Sequence, residues 1–186
     1  RQGVRVVVSD LSSRSDLQPV VDALADIDVE YALGGHPLAL LDDCDLLCVS
    51  GGVPLTIPIV EEAQRRNIPL SNDAQIFVAR SPAPVIGITG SAGKTTTTTL
   101  VGKMMEASGC KTWVGGNIGN PLVDEIDRIA PADSVVMELS SFQLDLMTCS
   151  PEIAGVLNIT PNHLDRHGTM EAYVAAKRHI VAHQAP

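Results

Sequence analysis

The sequence contains no apolar run near the ~18 residues that a membrane-spanning helix needs. It also has no basic surplus: 13 Lys and Arg stand against 22 Asp and Glu, a formal net charge of −9. The basic residues are scattered singly, so no cationic surface forms to neutralise a phosphate backbone. That excludes long nucleic acid as an expected ligand and leaves open a small anion held at one local site. Cysteine is scarce as well. Cys44, Cys48, Cys110 and Cys149 show neither CxxC spacing nor the density of a stapled secreted domain. No signal-peptide pattern opens the chain, and a reducing cytoplasm is the expected compartment. Disorder lacks its compositional basis, since 45% of the 186 residues are apolar and 19% charged, enough for one large core or two small ones. The chain starts at Arg1-Gln2-Gly3 without an initiator Met and stops at Ala185-Pro186, which reads as a piece of a longer protein.

What is present is an alternation of strands and helices. Residues 4–8 are a β-branched run ending in Ser9-Asp10, and residues 16–25 carry helical spacing at Leu17, Val20, Val21 and Leu24. Residues 46–49 form a short apolar strand closed by Ser50-Gly51-Gly52, followed by a helix over 57–66 and a short strand at 68–70. Parallel pairing through helical crossovers follows. Pro82 and Pro84 deny the chain a helix and favour an extended connector, which places a domain boundary between residues 1–82 and 83–186. Beyond it come a strand at 85–89 and a helix over 94–108, with Leu100/Met104 and Val101/Met105 four apart and Gly109 as its stop. Asn120-Pro121 is an N-cap and first-turn proline opening a helix through Leu122, Val123, Ile126 and Ile129. Strands follow at 134–137 and 153–159. There is no internal repeat, and the threonine run at 95–99 lies inside a motif.

That motif is Gly90-Ser91-Ala92-Gly93-Lys94-Thr95, set between a strand and a helix. Its glycines let backbone N–H groups wrap a phosphate at a helix N-terminus, Lys94 adds charge, and the Thr95 hydroxyl suits Mg²⁺. Strict Walker A spacing would need glycine at position 88, which is Ile, so this is a variant phosphate loop. Glu138 follows the apolar Val135-Val136-Met137, at the carboxyl end of its strand, where open α/β sheets place ligands and where a carboxylate suits Mg²⁺. From position alone it could equally be a solvated strand end. Asn158 and His163 flank the end of another strand, and His163 is either a metal or phosphate contact or a surface loop histidine. On a helix opened by Thr169, the apolar residues Met170, Tyr173, Val174, Ile180 and Val181 form one face with Lys177 at its centre. Either the Lys177 stem snorkels out of the packing or its amine is partly desolvated and chemically usable; periodicity by itself favours the snorkel. Asp10, at the end of a leading strand, resembles the acid that binds a ribose hydroxyl in dinucleotide folds. Its glycine fingerprint would lie ~20 residues upstream, before Arg1, which weakens a nicotinamide reading.

Four ordered segments resemble the Mur ligases: Gly87-Ile88-Thr89-Gly90-Ser91-Ala92-Gly93-Lys94-Thr95, Gly115-Gly116-Asn117-Ile118-Gly119, Glu138-Leu139-Ser140-Ser141-Phe142-Gln143-Leu144, and Asn158-Ile159-Thr160-Pro161-Asn162-His163-Leu164-Asp165-Arg166. The resemblance implies an α/β chain: a Rossmann-like N-terminal domain lacking its first strand and turn, then part of a P-loop ATPase-like central domain with a mainly parallel sheet. It implies an ATP-dependent amide ligase of peptidoglycan synthesis, and the segment from Glu138 points to the members that add D-glutamate to UDP-N-acetylmuramoyl-L-alanine. By that resemblance Gly90, Ser91, Ala92, Gly93, Lys94, Thr95 and Thr96 hold ATP. Thr95, Glu138, His163 and Lys177, the last as a carbamate, hold two Mg²⁺, and Asp10, Ser50, Gly51, Asn117, Ser140 and His163 contact the UDP-sugar. Lys94, Glu138, His163 and Lys177 are the implied catalytic set. Family members are more than twice this length and cytoplasmic, and the resemblance implies a monomer when intact. Without a C-terminal domain, which carries the D-glutamate site in the family, this chain is expected to be inactive alone and to act at most as a nucleotide- or UDP-sugar-binding fragment.

Overall fold

A computed structural model describes residues 3–119 and 121–184. They divide into two compact units. The first comprises the described residues up to Leu47 together with Leu55–Pro69. In it β1 (Val7–Asp10) pairs in parallel with β2 (Glu30–Leu33), Val7 opposite Glu30 and Asp10 opposite Leu33. Between them lies α1 (Gln18–Ala23), which begins with a proline in its first turn and buries Val21. Later in this unit α2 (Pro58–Arg65) again uses a first-turn proline and buries Ile59, Val60 and Ala63. Its exposed side is tied by Glu62, which accepts from Arg65 and Arg66, while Arg66 also reaches Asp42. The expected strand at 46–49 is β3 (Leu47–Cys48).

The second unit comprises Cys48–Pro54 and the described residues from Leu70 onward. It contains β4 (Leu70–Ser71), shifted from the expected 68–70, then α3 (Asp73–Arg80), β5 (Val85–Thr89), α4 (Lys94–Ala107), β6 (Thr112–Gly116), β7 (Ser134–Glu138), α5 (Ser141–Leu144), β8 (Ile153–Val156), α6 (Leu164–His167) and α7 (Met170–Ala182). Four strands form one parallel sheet in the order β6-β7-β5-β8. Val85, Val135 and Val136 are almost fully buried, as the apolar run of a strand covered on both faces requires. Ala74 and Phe77 of α3 join Val85, Leu122, Met137, Leu144 and Ile180 in a single core, so the Pro82/Pro84 connector lies inside this unit.

Three further differences from the sequence reading have local causes. The segment after Pro121 is a 3-10 helix over Leu122–Arg128 rather than an α-helix, and its expected cap, Asn120, lies outside the described residues. The strand expected to reach Ile159 ends at Val156, because Asn158 turns its hydrogen-bonding groups onto the glycine loop. On α4 the apolar residues Leu100 and Met104 are exposed, and the buried face is Thr98 and Gly102. A Cβ at Gly102 would collide with Val114, so the missing side chain is what lets α4 approach β6.

Candidate active site at the ends of the parallel strands

β5 delivers the chain into residues 90–93, and α4 begins at Lys94. Gly93 takes φ +81°, a left-handed conformation that costs glycine little, and this turn aims the first amides of α4 at the loop. Those amides lack intrahelical acceptors and sit at the positive end of the helix dipole, which suits an anion. Lys94 arches over the loop and donates from Nζ to the Gly90 carbonyl (3.1 Å) and the Ser91 carbonyl (3.4 Å). Thr95 Oγ1 donates to Glu138 Oε2 at 2.8 Å. Thr96 stays exposed on the first turn.

Glu138 is not a solvated strand end. It is 2% exposed. The register sets it opposite both Ile88 of β5 and Gly116 of β6, so its side chain emerges between two strand ends. Its second oxygen accepts from Asn117 Nδ2 at 2.8 Å, and its carbonyl accepts from the Asn117 amide. The bend into Asn117 passes through Gly116 at φ +96°, where a Cβ would meet the Glu138 carbonyl and lie 2.7 Å from Met137 Cγ.

Lys177 overturns the snorkelling expectation. The inward face of α7 is Tyr173, Ala176, Lys177 and Ile180, whereas Val174 and Val181 remain exposed. Lys177 itself is 2% exposed. Its Nζ donates to Thr89 Oγ1 (3.1 Å) and the Gly90 carbonyl (3.0 Å), and lies 4.8 Å from the centre of the Tyr173 ring. Burial, with the neighbouring Lys94 charge as a second cause, pushes its pKa down to about 8.

A cleft of about 660 Å³ in the same unit is lined by Ser50, Gly51, Asn72, Asn117, Ser140 and Phe142, among others. Ser140 caps α5 reciprocally with Gln143, which fixes the direction of the chain leaving Glu138. His163 is exposed, opens α6 at φ +53°, and has its ring 5.0 Å from that of Phe142. Asp10 belongs to the first unit, at the end of β1. There its Oδ1 accepts from the Ser12 amide at 2.7 Å, which holds the carboxyl below its ordinary pKa. Among the described residues, no three His, Cys, Asp or Glu side chains cluster to hold a metal by themselves.

The structure thus brings Lys94, Thr95, Glu138, Lys177 and Asn117 together, and Ser50, Gly51, Asn117 and Ser140 onto one cleft. It adds residues given no role from sequence. Tyr173 Oη lies 2.9 Å from Ser91 Oγ, Asn72 Nδ2 donates to the Gln143 carbonyl at 2.8 Å, and Asn158 binds the loop directly. The helical start at Asn72, whose side chain accepts from the Gln75 amide, was the readable signal for α3.

Residues 88–186 match the family model of the Mur ligase middle domain. The chain is 46% identical over 185 residues to the "UDP-N-acetylmuramoylalanine--D-glutamate ligase" of Symbiobacterium thermophilum, covering 100% of this chain and 41% of the relative. The protein of the same name from Pelotomaculum thermopropionicum is 43% identical over 187 residues, again covering 100% of this chain and 41% of the relative. The chain therefore spans about two fifths of the length of these curated relatives. Among solved structures, the UDP-N-acetylmuramate:L-alanyl-gamma-D-glutamyl-meso-diaminopimelate ligase from Neisseria meningitides aligns with a TM-score of 0.55 at 18% identity, covering 98% of this chain and 61% of that one. That likeness is one of fold.

Proposed function

The chain belongs to the Mur ligase family, and from that premise we propose that it is the N-terminal and central part of a cytoplasmic ligase that joins D-glutamate to UDP-N-acetylmuramoyl-L-alanine, driven by ATP, in peptidoglycan synthesis. The observation that carries this reading is the meeting of Lys94, Thr95, Glu138 and Lys177 around the ends of β5 and β7. In this reading residues 83–186 form the ATP-binding segment, and residues 1–82 form a Rossmann-like segment for the UDP-sugar.

A carboxylate resists an amine because its carbon is electron-rich and oxide is a very poor leaving group. Transfer of the ATP γ-phosphoryl to the alanyl carboxylate forms an acyl phosphate; the D-glutamate amine then attacks that carbonyl carbon, phosphate leaves with the bonding pair, and the amide forms. The protein has to align oxygens and neutralise charge. Residues 90–96 would cradle the ATP phosphates, with Lys94 leaving the loop carbonyls for the transferring group. Thr95 and Glu138 present hard oxygens 2.8 Å apart, a donor set that fits Mg²⁺ completed by water and phosphate oxygens. Bound there, Mg²⁺ supplies charge neutralisation on the phosphoryl group.

Support for a carbamate at Lys177 comes from its desolvated amine, since the neutral form is the one that adds CO₂, and the product would set an anion where an ammonium now faces Lys94. His163 would join it at a second Mg²⁺. Ser50, Gly51, Asn117 and Ser140 on the cleft, with His163, would hold the UDP-sugar, and Asn117 is the side chain shared by cleft and Glu138; for Asp10 the same role rests on the family resemblance alone.

A second reading, a binding fragment without turnover, is favoured by the two-fifths coverage of the relatives. One experiment addresses both. Calorimetric titration of this chain with Mg²⁺-ATP and with UDP-N-acetylmuramoyl-L-alanine should show binding. Phosphate release with all three substrates should appear only when the chain is extended to the full length of its relatives. Release from neither form rejects the ligase reading.

A further inference from the structure

One side chain outside the phosphate loop holds the loop's shape. The Asn158 carboxamide oxygen accepts from the Ser91 amide (3.1 Å) and the Ala92 amide (2.9 Å), and Asn158 Nδ2 donates to the Ala92 carbonyl (2.9 Å). The Asn158 backbone carbonyl accepts from the Ser91 amide as well, at 3.0 Å. Just before it, the Leu157 amide donates to the Thr89 carbonyl, so β8 delivers Asn158 alongside the loop. Gly90 permits the approach: a Cβ there would lie 3.1 Å from Leu157 Cβ and 3.5 Å from the Asn158 nitrogen. Thr160 adds a second tie, donating its amide to Ser91 Oγ at 2.9 Å.

Two loop amides, those of Ser91 and Ala92, are therefore bonded to protein, and the amides that open α4 are the ones left to face an anion. We propose that Asn158 is a positioning residue for nucleotide binding, one that decides which amides of the loop meet the phosphates. This rests on the reading of residues 90–96 as a nucleotide site. A carboxamide suits the task because it accepts from two amides and donates to a carbonyl at once. Aspartate would keep the two accepted bonds, lose the donated one, and set a negative charge beside the Ala92 carbonyl and the incoming phosphates.

The test compares the parent chain with Asn158→Ala and Asn158→Asp, using Mg²⁺-ATP as the probe in calorimetric titration and amide hydrogen exchange to follow Ser91, Ala92 and the strands β5 and β7. Asn158→Ala is expected to weaken Mg²⁺-ATP binding about ten-fold, the equivalent of roughly one net hydrogen bond. Asn158→Asp should weaken it further, with the extra loss shrinking as salt is raised. Exchange at Ala92 should accelerate in the alanine variant, while Ser91, still bonded to the Asn158 backbone carbonyl, and the strands β5 and β7 keep their protection. Unchanged affinity in both variants overturns the proposal, and so does loss of protection throughout β5 and β7 in Asn158→Asp, which would make Asn158 a general prop. Asn158→Asp retains two of the three side-chain bonds and carries the test if the alanine variant does not fold. A parent that binds no Mg²⁺-ATP while Ser91 and Ala92 are protected overturns the nucleotide reading, and the proposal with it; a parent that binds with both amides unprotected overturns the proposal alone.

Discussion

Asp10 and Glu138 are both carboxylates at the ends of parallel strands, and the two units treat them oppositely. Asp10 remains partly solvated and satisfies itself locally, on the amide two residues ahead. Glu138 is buried and satisfied by side chains 43 and 21 positions away, Thr95 and Asn117. The strands behind them differ in the same way: Val7 and Val8 of β1 are each 37% exposed, whereas Val135 and Val136 of β7 are at 0%. A covered sheet gives its ends a low-dielectric setting in which each polar group must be answered by another. A partly exposed strand pair leaves water to do that, and its carboxylate needs no partner from another element.

The strongest way to break this contrast is Lys177→Ala in a protein extended to the full length of its relatives. Phosphate release should fall about 10³-fold, the scale of removing a charge-stabilising group from a water-excluded site, and Lys177→Glu should recover part of it. Near-normal release from the alanine variant would remove Lys177 from the catalytic set. Next is Gly116→Ala, which forces a side chain into a left-handed turn against the Glu138 carbonyl; a loss of about 3 kcal/mol is expected from urea unfolding, with unchanged slope.

Third is pH. Lys177 has a folded pKa of about 8 against an ordinary 10.5, so between these values the unfolded chain binds more protons and stability rises with pH. The burial penalty is fully present below pH 8 and is relieved towards pH 10.5, a gain on the order of 3 kcal/mol. Urea unfolding across that window should show the rise in the parent and a smaller one in Lys177→Met; equal slopes would remove Lys177 as the source. The smallest effect belongs to the first unit. Asp10→Asn should leave melting and Mg²⁺-ATP binding unchanged and weaken UDP-N-acetylmuramoyl-L-alanine by about ten-fold, one charge-assisted contact. An equal loss for both ligands would erase the distinction between the units.

How much of this was legible follows the same division. β5, the glycine loop and α4 were readable because an apolar run, glycines and a helix follow one another without interruption, so short-range sequence carries the whole arrangement. The burial of Glu138 was not, since it depends on partners from two other elements. Lys177 was placed on an inward face, but whether the stem escapes is decided by the neighbours of α7: Thr89 and Gly90 offer acceptors inside the packing, and the snorkel has nothing to gain. The short elements β2, β6 and α3 escaped notice because four to eight residues hold too little periodicity to separate from a loop.

The buried Gly90 carbonyl accepts from two ammonium groups, Lys94 and Lys177, one for each of its lone pairs. That redundancy makes the resting loop easy to leave. In the proposed nucleotide site Lys94 can turn toward a phosphate while the Gly90 carbonyl keeps its other donor. In that reading ligand entry is a swap of acceptors by one side chain.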